Sequence, residues 1–265
     1  YTLPTGNWER KGSATEFDEK EYYQTIRQTL RIEEIIDRHL KIMDYHDPER
    51  NVNLIVDEWG TWYDVEPGTN PGFLYQQNTM RDAIVAAIHL NLFNKHSDRI
   101  IMANIAQAVN VLQAMVLTEG MKMVKTPTYE VFFMFKEHQG GTLVDSFLTK
   151  ETDGTDGIEI PVLSESVSIK ETEGKVQAVI TLSNASLSQE YEVKVQLPSD
   201  KRFGDEAQVT ELSGQVNAYN SFESPEKVKH TTQDISLAGE KEKNIFYIKI
   251  KPCSVLSISC EVCPV

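Results

Sequence analysis

Near residue 142 the hydrophobic period of this 265-residue chain changes, and no other feature limits its fold as strongly. Before that point apolar residues recur at helical spacing or in short continuous runs. After it they alternate every second residue between turn residues. A helix pattern cannot serve as a strand, nor the reverse, so two kinds of architecture are expected in sequence, divided as 1–141 and 142–265.

In the first part, residues 21–44 carry Ile26, Leu30, Ile36, Leu40 and Met43 at helical spacing. Glu16, Asp18, Glu19 and Glu21 stand at the end where the helix dipole favours negative charge. Pro48 ends this helix and biases Asp47 toward extended geometry. The run NLIVDEW reads as a strand, VEPGTNPG at 65–72 as a loop, and Met80, Ile84, Ala87, Ile88 and Leu92 as a second helix. RIIMAN at 99–104 reads as another strand. A third helix opens at TPTYEVFF, with Thr126 as N-cap, Pro127 in the first position and Gly140 with Gly141 as the stop. Strand, helix, strand, helix is the pattern of a parallel sheet.

The second part gives VSIKET, VQAVITLSNAS, YEVKVQL, AQVTELSG and NIFYIKIKPCSVLSISCEV. In YEVKVQL, Tyr191, Val193, Val195 and Leu197 share one face and Glu192, Lys194 and Gln196 the other, as in a half-buried antiparallel strand. An all-β sandwich is expected.

The net charge of −14 argues against a nucleic-acid or anionic-membrane partner, both of which need clustered Lys and Arg, and favours a neutral or cationic ligand. No stretch approaches the roughly 20 apolar residues of a membrane helix. The chain opens on Tyr1 rather than Met, so a preceding segment is expected and no compartment can be read. Cys253, Cys260 and Cys263 are too few and too local for a disulfide framework, and one C-x-x-C without a second pair or a nearby histidine reads as buried strand cysteines. None of the six histidines forms the H-x-x-x-H pair of a zinc helix. No metal and no cofactor is expected.

The stretch DEWGTW places Asp57 and Glu58 at the end of a strand between apolar residues and a loop. Burying a charge is costly unless it is paired, so such residues need a purpose. One is to cap the strand and pair with an arginine. The other is catalysis, because a barrel of β/α units carries its catalytic groups at the C-terminal strand ends. Alternation lets only one of the two point into the barrel mouth. Trp59 and Trp62 fit a sugar site, where aromatic faces stack on C–H faces beside a carboxylate, and they fit equally a hydrophobic core.

The run LIVDEWGTWYDVEPGTNPGFLYQQNTMRDAIVAAIHLNLFNKHSDRIIMANIAQAVNVLQAMVLTEG resembles the nucleophile region of the α-L-arabinofuranosidases of glycoside hydrolase family 51. GNWERKGSATEFDEKEYYQTI, TPTYEVFFMFKEHQGG and VNAYNSFESPEKVK are similar to the same family, and the likeness covers nearly the whole chain. It implies the C-terminal part of a (β/α)8 TIM barrel followed by an antiparallel, jelly-roll-like β-sandwich. It also implies retaining hydrolysis of terminal non-reducing α-L-arabinofuranosyl residues in arabinose-containing polysaccharides and oligosaccharides. On that likeness Glu58 is the nucleophile, Trp62 lines the sugar pocket, Gln107 hydrogen-bonds the sugar and Tyr1 orients the nucleophile. Glu58 would work ionised, so hydrogen-bond donors are expected around it.

The family's acid/base glutamate, in an Asn-Glu pair on the fourth strand, has no match here. The chain is therefore expected to be an inactive C-terminal fragment whose partners are the N-terminal part of its own barrel, an arabinofuranosyl-containing glycan and, as in other members of the family, further copies of itself. Two alternatives are a hydrolase of another barrel family, such as a β-galactosidase or endoglucanase, and a noncatalytic carbohydrate-binding or interaction module working through the sandwich. The scattered aromatics beyond Leu143, from Phe147 to Tyr247, do not form the exposed row that the module would need.

Overall fold

A computed structural model of the chain describes residues 1–238 and 242–265. The first part contains α1 (Glu19–His46), β1 (Leu54–Trp59), α2 (Met80–Lys95), β2 (Ile100–Ile105), the hairpin β3 (Val116–Glu119) and β4 (Lys122–Lys125), and α3 (Pro127–Phe135). Strands β1 and β2 pair in parallel with α2 as the crossover, Leu54 facing Ile100 and Trp59 facing Ile105. Asp18 caps α1 through a reciprocal pair with Glu21, and Thr79 caps α2 through one with Asp82.

The second part contains β5 (Thr142–Leu143), β6 (Thr152–Thr155), β7 (Ile158–Pro161), β8 (Leu163–Thr172), β9 (Lys175–Asn184), β10 (Tyr191–Gln196), β11 (Lys201–Ser213), β12 (Thr231–Ser236), β13 (Ile245–Ile250) and β14 (Ser254–Pro264). A six-stranded sheet runs β12-β11-β14-β9-β8-β5, and β10 pairs with β13 as the second layer. Ala178, Ile180, Leu182, Val209, Leu256 and Ile258 of the large sheet pack against Phe246 and Ile250 of the small one. Tyr191, Val193 and Val195 close the same core from β10, as their alternation predicts.

The other face of the large sheet is not open to water. Strand β9 is buried on both sides from Ala178 to Asn184, because α2 lies across its outer side while α3 packs on the neighbouring β14. On β8 and β9 that face carries the small hydroxyl side chains of Ser164, Ser166, Ser168, Thr181 and Ser183, whereas β11 and β14 add the aliphatic Leu212 and Val255. Asn91 of α2 accepts from Ser166 and Thr181 at 2.9 and 2.7 Å and donates to Ser164 at 2.9 Å, so these buried polar groups are paired. The His138 ring bridges Ser168 and Thr181 at 2.7 and 2.9 Å. This contact draws α3 into a 3-10 turn at Lys136–His138, so the helix ends at Phe135 and not at Gly140.

One hydrophobic cluster joins the two parts, running from Tyr22, Ile26 and Ile84 to Ile160, Leu212 and Val255. Tyr22 O–H donates to the Ala185 carbonyl at 2.8 Å and Tyr23 O–H to Asp153 at 3.1 Å, so α1 is tied to the sandwich. The segment 214–230, leading from β11 to β12, returns across α2: Ala218 accepts from Met80 N–H at 2.9 Å and Val216 from Arg81 N–H at 3.0 Å. At the opposite end of the β1–β2 pair the fully buried Arg99 donates to Asp47 and to the Val52 carbonyl at 2.8 and 2.6 Å. The Val52 N–H and the Arg99 guanidinium together hold the Asp47 carboxyl down at about 2.

Cys260 lies buried on β14 and Cys263 half-buried on it, while Cys253 occupies the preceding turn at φ 45°, not a strand; all three thiols are free. No helix among the described residues is long and apolar enough to cross a membrane.

Burial holds both His89, on α2, and His138 down at about 4. The unfolded chain takes up protons at these imidazoles below about 6.5, whereas the folded chain withholds them until about 4. Stability therefore rises with pH across this window and is lost as pH falls through it. The loss between pH 7 and pH 5 is about 2 kcal/mol for each histidine. Urea unfolding at the two pH values should show it, and a midpoint equal or higher at pH 5 would contradict it.

Candidate active site

Strand β1 delivers Asp57, Glu58 and Trp59 to its C-terminal end and stops at Gly60. Gly60 has φ +139°, and a Cβ there would meet Gln113 at 3.2 Å, so only glycine allows the chain to turn here. Trp59 points into the core, 1% exposed, against His89, Phe93 and Phe132, which settles its role as packing. Glu58 is exposed, and its Oε2 accepts a 2.6 Å hydrogen bond from the Tyr1 hydroxyl. Asp57 is exposed and takes no part in this pair.

The Tyr1 segment runs parallel beside residues 60–62, just past the end of β1. Thr2 N–H donates to the Gly60 carbonyl at 2.8 Å, Trp62 N–H donates to the Thr2 carbonyl at 3.0 Å, and Thr2 bridges Thr61 in parallel. Burial, and then the hydrogen bond and negative charge of Glu58, raise the Tyr1 hydroxyl well above the ordinary phenol range. Tyr1 thus keeps its proton and serves as a fixed donor to the carboxylate.

An aromatic wall stands next to this pair. Trp62 meets the Tyr1 ring edge-on at 5.0 Å and the Trp8 ring edge-on at 5.0 Å, with Lys11 about 6 Å from both indoles. Trp8 is half exposed. Its sequence signal, a lone tryptophan in GNWERKG, carries no spacing that would single it out.

The loop that carries Trp62 rests on a buried polar hub. Asp82, in the first turn of α2, accepts from Thr61 O–H at 2.6 Å, from Tyr63 O–H at 3.0 Å and from Thr79 N–H at 2.7 Å. Gln113 accepts from Thr61 N–H at 2.8 Å and donates to the Asp82 carbonyl at 2.9 Å, and Gln76 accepts from Tyr63 N–H at 2.8 Å. Arg81 stacks between Phe17 and Tyr63 and donates to the carbonyls of Ser13 and Ala14 at 2.9 and 3.2 Å. Burial pushes the Asp82 carboxyl up, opposed by Arg81 and by its hydroxyl and amide donors.

Glu58, Tyr1 and Trp59 line a cleft of about 420 Å³ that continues along β1 and past Gln28, Ile32 and Ile36 of α1. Glu58 is the one carboxylate lining it among the described residues. Gln107 follows β2 and opens onto a neighbouring cleft with Phe73, Tyr75 and Phe222. The structure therefore brings Tyr1, Glu58 and Trp62 together, adds Trp8, and leaves Gln107 to one side. No cluster of three or more His, Cys, Asp or Glu suited to a metal occurs among the described residues.

A carboxylate held by a phenol at the end of a parallel strand, beside an indole wall, has the parts to attack an electrophilic carbon of a sugar ring. The family model of the alpha-L-arabinofuranosidase C-terminal domain matches residues 57–254. An intracellular exo-alpha-L-arabinofuranosidase of Bacteroides ovatus is 44% identical over 230 residues, covering 86% of this chain and 44% of that protein. The crystal structure of the GH51 arabinofuranosidase from Xanthomonas axonopodis pv. citri superposes with a TM-score of 0.87 at 37% identity, covering 98% of this chain and 51% of that one. The thermostable GH51 α-L-arabinofuranosidase from Thermotoga petrophila RKU-1 gives a TM-score of 0.75 at 28% identity, over 92% of this chain and 50% of that one. The chain thus spans about half the length of the relatives it matches.

Proposed function

Because this chain belongs to the α-L-arabinofuranosidases of glycoside hydrolase family 51, through their C-terminal domain, we propose that it supplies the nucleophile side of a retaining arabinofuranosidase. The substrate is a terminal non-reducing α-L-arabinofuranosyl residue on an arabinose-containing polysaccharide or oligosaccharide. In this reading Glu58 attacks the anomeric carbon to form a glycosyl-enzyme, Tyr1 holds the attacking carboxylate in place, and Trp62 walls the sugar. Gln107, at the end of β2, lines the neighbouring cleft rather than the Glu58 cleft, and in this reading it meets the glycan beyond that sugar. Residues 1–141 belong to the barrel and 142–265 to the sandwich.

A second carboxyl, roughly 5 to 5.5 Å from the nucleophile, must protonate the leaving oxygen and later activate water. No such group lines the Glu58 cleft among the described residues, so the acid/base belongs to a preceding part of the barrel, which also covers the free edge of β1. The observation that carries this reading is the 2.6 Å bond from Tyr1 to Glu58 at the strand end.

A panel of aryl glycosides tests it. The full-length protein should hydrolyse the α-L-arabinofuranoside with retention and leave the β-galactoside and β-glucoside untouched. The 265-residue chain alone should give no turnover, because general-acid assistance typically contributes roughly 10²- to 10⁴-fold. Turnover by the isolated chain, or preference for another glycoside, would overturn the reading.

A further inference from the structure

The neighbouring cleft, about 660 Å³, is built from four segments: residues 69–75, residues 107–111, the β3–β4 hairpin and the 214–230 segment. Phe73 closes the 3-10 turn Pro71–Phe73, which Asn70 caps by accepting from Gly72 N–H at 3.0 Å. The next residue, Leu74, is held at φ 52°, and its carbonyl accepts from Leu112 N–H at 2.9 Å. Asn110 braces the β3–β4 hairpin by accepting from Thr118 N–H at 2.7 Å and donating to its hydroxyl at 2.9 Å. The hairpin's Leu117 and Val124 pack with Tyr75 and Phe222. Phe222 arrives from the sandwich, on the 214–230 segment, where Asn220 donates to the Lys125 carbonyl at 2.9 Å.

Phe73 is nevertheless 69% exposed. A single exposed phenylalanine needs no explanation. This one stands in a cleft with two more aromatic rings and with the polar side chains of Gln107 and Glu119. Apolar walls with a few convergent polar groups are what a small-ligand site presents. A sugar ring offers the matching surface, a C–H face for the phenyl ring and a hydroxyl edge for the amide and carboxylate. The carboxylate of Glu119 favours a neutral sugar over an acidic one.

The cleft also stands next to the Glu58 site. Ala106 N–H, one residue before Gln107, donates to the Trp59 carbonyl at 2.9 Å, so Glu58 and Gln107 lie on adjacent strand ends. We propose that the cleft between Phe73, Tyr75 and Phe222 is an acceptor-side subsite that binds a neutral sugar residue of the glycan from which the arabinofuranosyl group is cleaved. The sandwich then takes part in substrate choice through Phe222. This proposal rests on Glu58 acting as the nucleophile.

The test compares the full-length protein with its Phe73→Ala variant, which removes a ring too exposed to support the fold. Substrates are α-1,5-linked arabinotriose, an arabinose-substituted xylotriose, and methyl α-L-arabinofuranoside, whose leaving group cannot fill the cleft. The ratio of kcat/KM for at least one oligosaccharide to that for the methyl glycoside should fall about tenfold, the scale of one aromatic stacking contact. Met121→Ala, at the fully exposed hairpin tip outside the cleft, should shift the ratio less than twofold. A ratio unmoved in Phe73→Ala for both oligosaccharides overturns the subsite and leaves the Glu58 reading intact. Failure of the unaltered protein to hydrolyse an aryl α-L-arabinofuranoside removes both.

Discussion

Replacing Glu58 by glutamine in the full-length protein should lower kcat on an aryl α-L-arabinofuranoside by roughly 10⁴-fold or more, a scale seen when a nucleophile is deleted from a covalent mechanism. Such a loss corresponds to about 5.5 kcal/mol of barrier. The amide keeps the size of the side chain and can still accept from Tyr1, so binding and folding should change little, and the effect should fall on kcat rather than on KM. Glu58 is exposed and its only side-chain hydrogen bond among the described residues is to Tyr1, so little stability depends on its charge. Glu58→Ala opens room for a small external anion, and azide should restore turnover while yielding the glycosyl azide of inverted configuration. A loss of less than tenfold in Glu58→Gln would remove Glu58 from the nucleophile's role.

Asp82→Ala should destabilise the fold by about 3 to 5 kcal/mol, the range for removing one partner from a buried charged network. The mechanism is specific. Without the carboxylate, the hydroxyls of Thr61 and Tyr63 and the N–H of Thr79 lose their acceptor at a site with no water access. The α2 N-terminus loses its capping partner in the same step. Asp82→Asn keeps one acceptor oxygen but turns an NH₂ toward a donor, so it should fall between the alanine variant and the unaltered protein. Because the hub anchors residues 61–63, and with them Trp62, activity should fall with stability. Urea unfolding that moves by less than 1 kcal/mol in Asp82→Ala would show that the loop is held by its packing instead.

Much of this architecture can be read from the residues, and the reason differs by element. Strand β1, helix α2 and strand β2 are legible because their apolar runs are continuous and bounded by Pro, Gly or charged turns, as expected for a parallel unit, although Ile55, Ile101 and Met102 are exposed here. Strand β10 is legible because it lies with one side on the core and one in water. Strand β12 escapes the same reading: it is the exposed edge of the sheet, so TTQDIS has no apolar face to alternate. The β3–β4 hairpin is announced only by Gly120, at φ +58°, between VLT and MKMV.

The site divides in the same way. The carboxylate at a strand end beside tryptophan is visible in DEWGTW; the residues alone leave Asp57 and Glu58 open, the family likeness points to Glu58, and its bond to Tyr1 across 57 positions of sequence is seen only in the fold. Asp82 looks like any acidic residue in a first helical turn. Its role as a hub emerges only when Thr61 and Tyr63 fold over it. Gln113 and Trp8 carry no local pattern, because their partners are distant in sequence. Strand β9 alternates as well, but alternation alone does not reveal that Thr181 on its outer side is sheltered by α2 through Asn91.

The most direct test of the central claim is the intact mass and peptide map of the full-length protein after incubation with a mechanism-based arabinofuranosyl reagent that esterifies the attacking carboxylate. One equivalent of label on the peptide bearing Glu58, absent in Glu58→Gln, is the predicted result. Label on Asp57 or on another carboxylate, or none under conditions of measurable turnover, would contradict it.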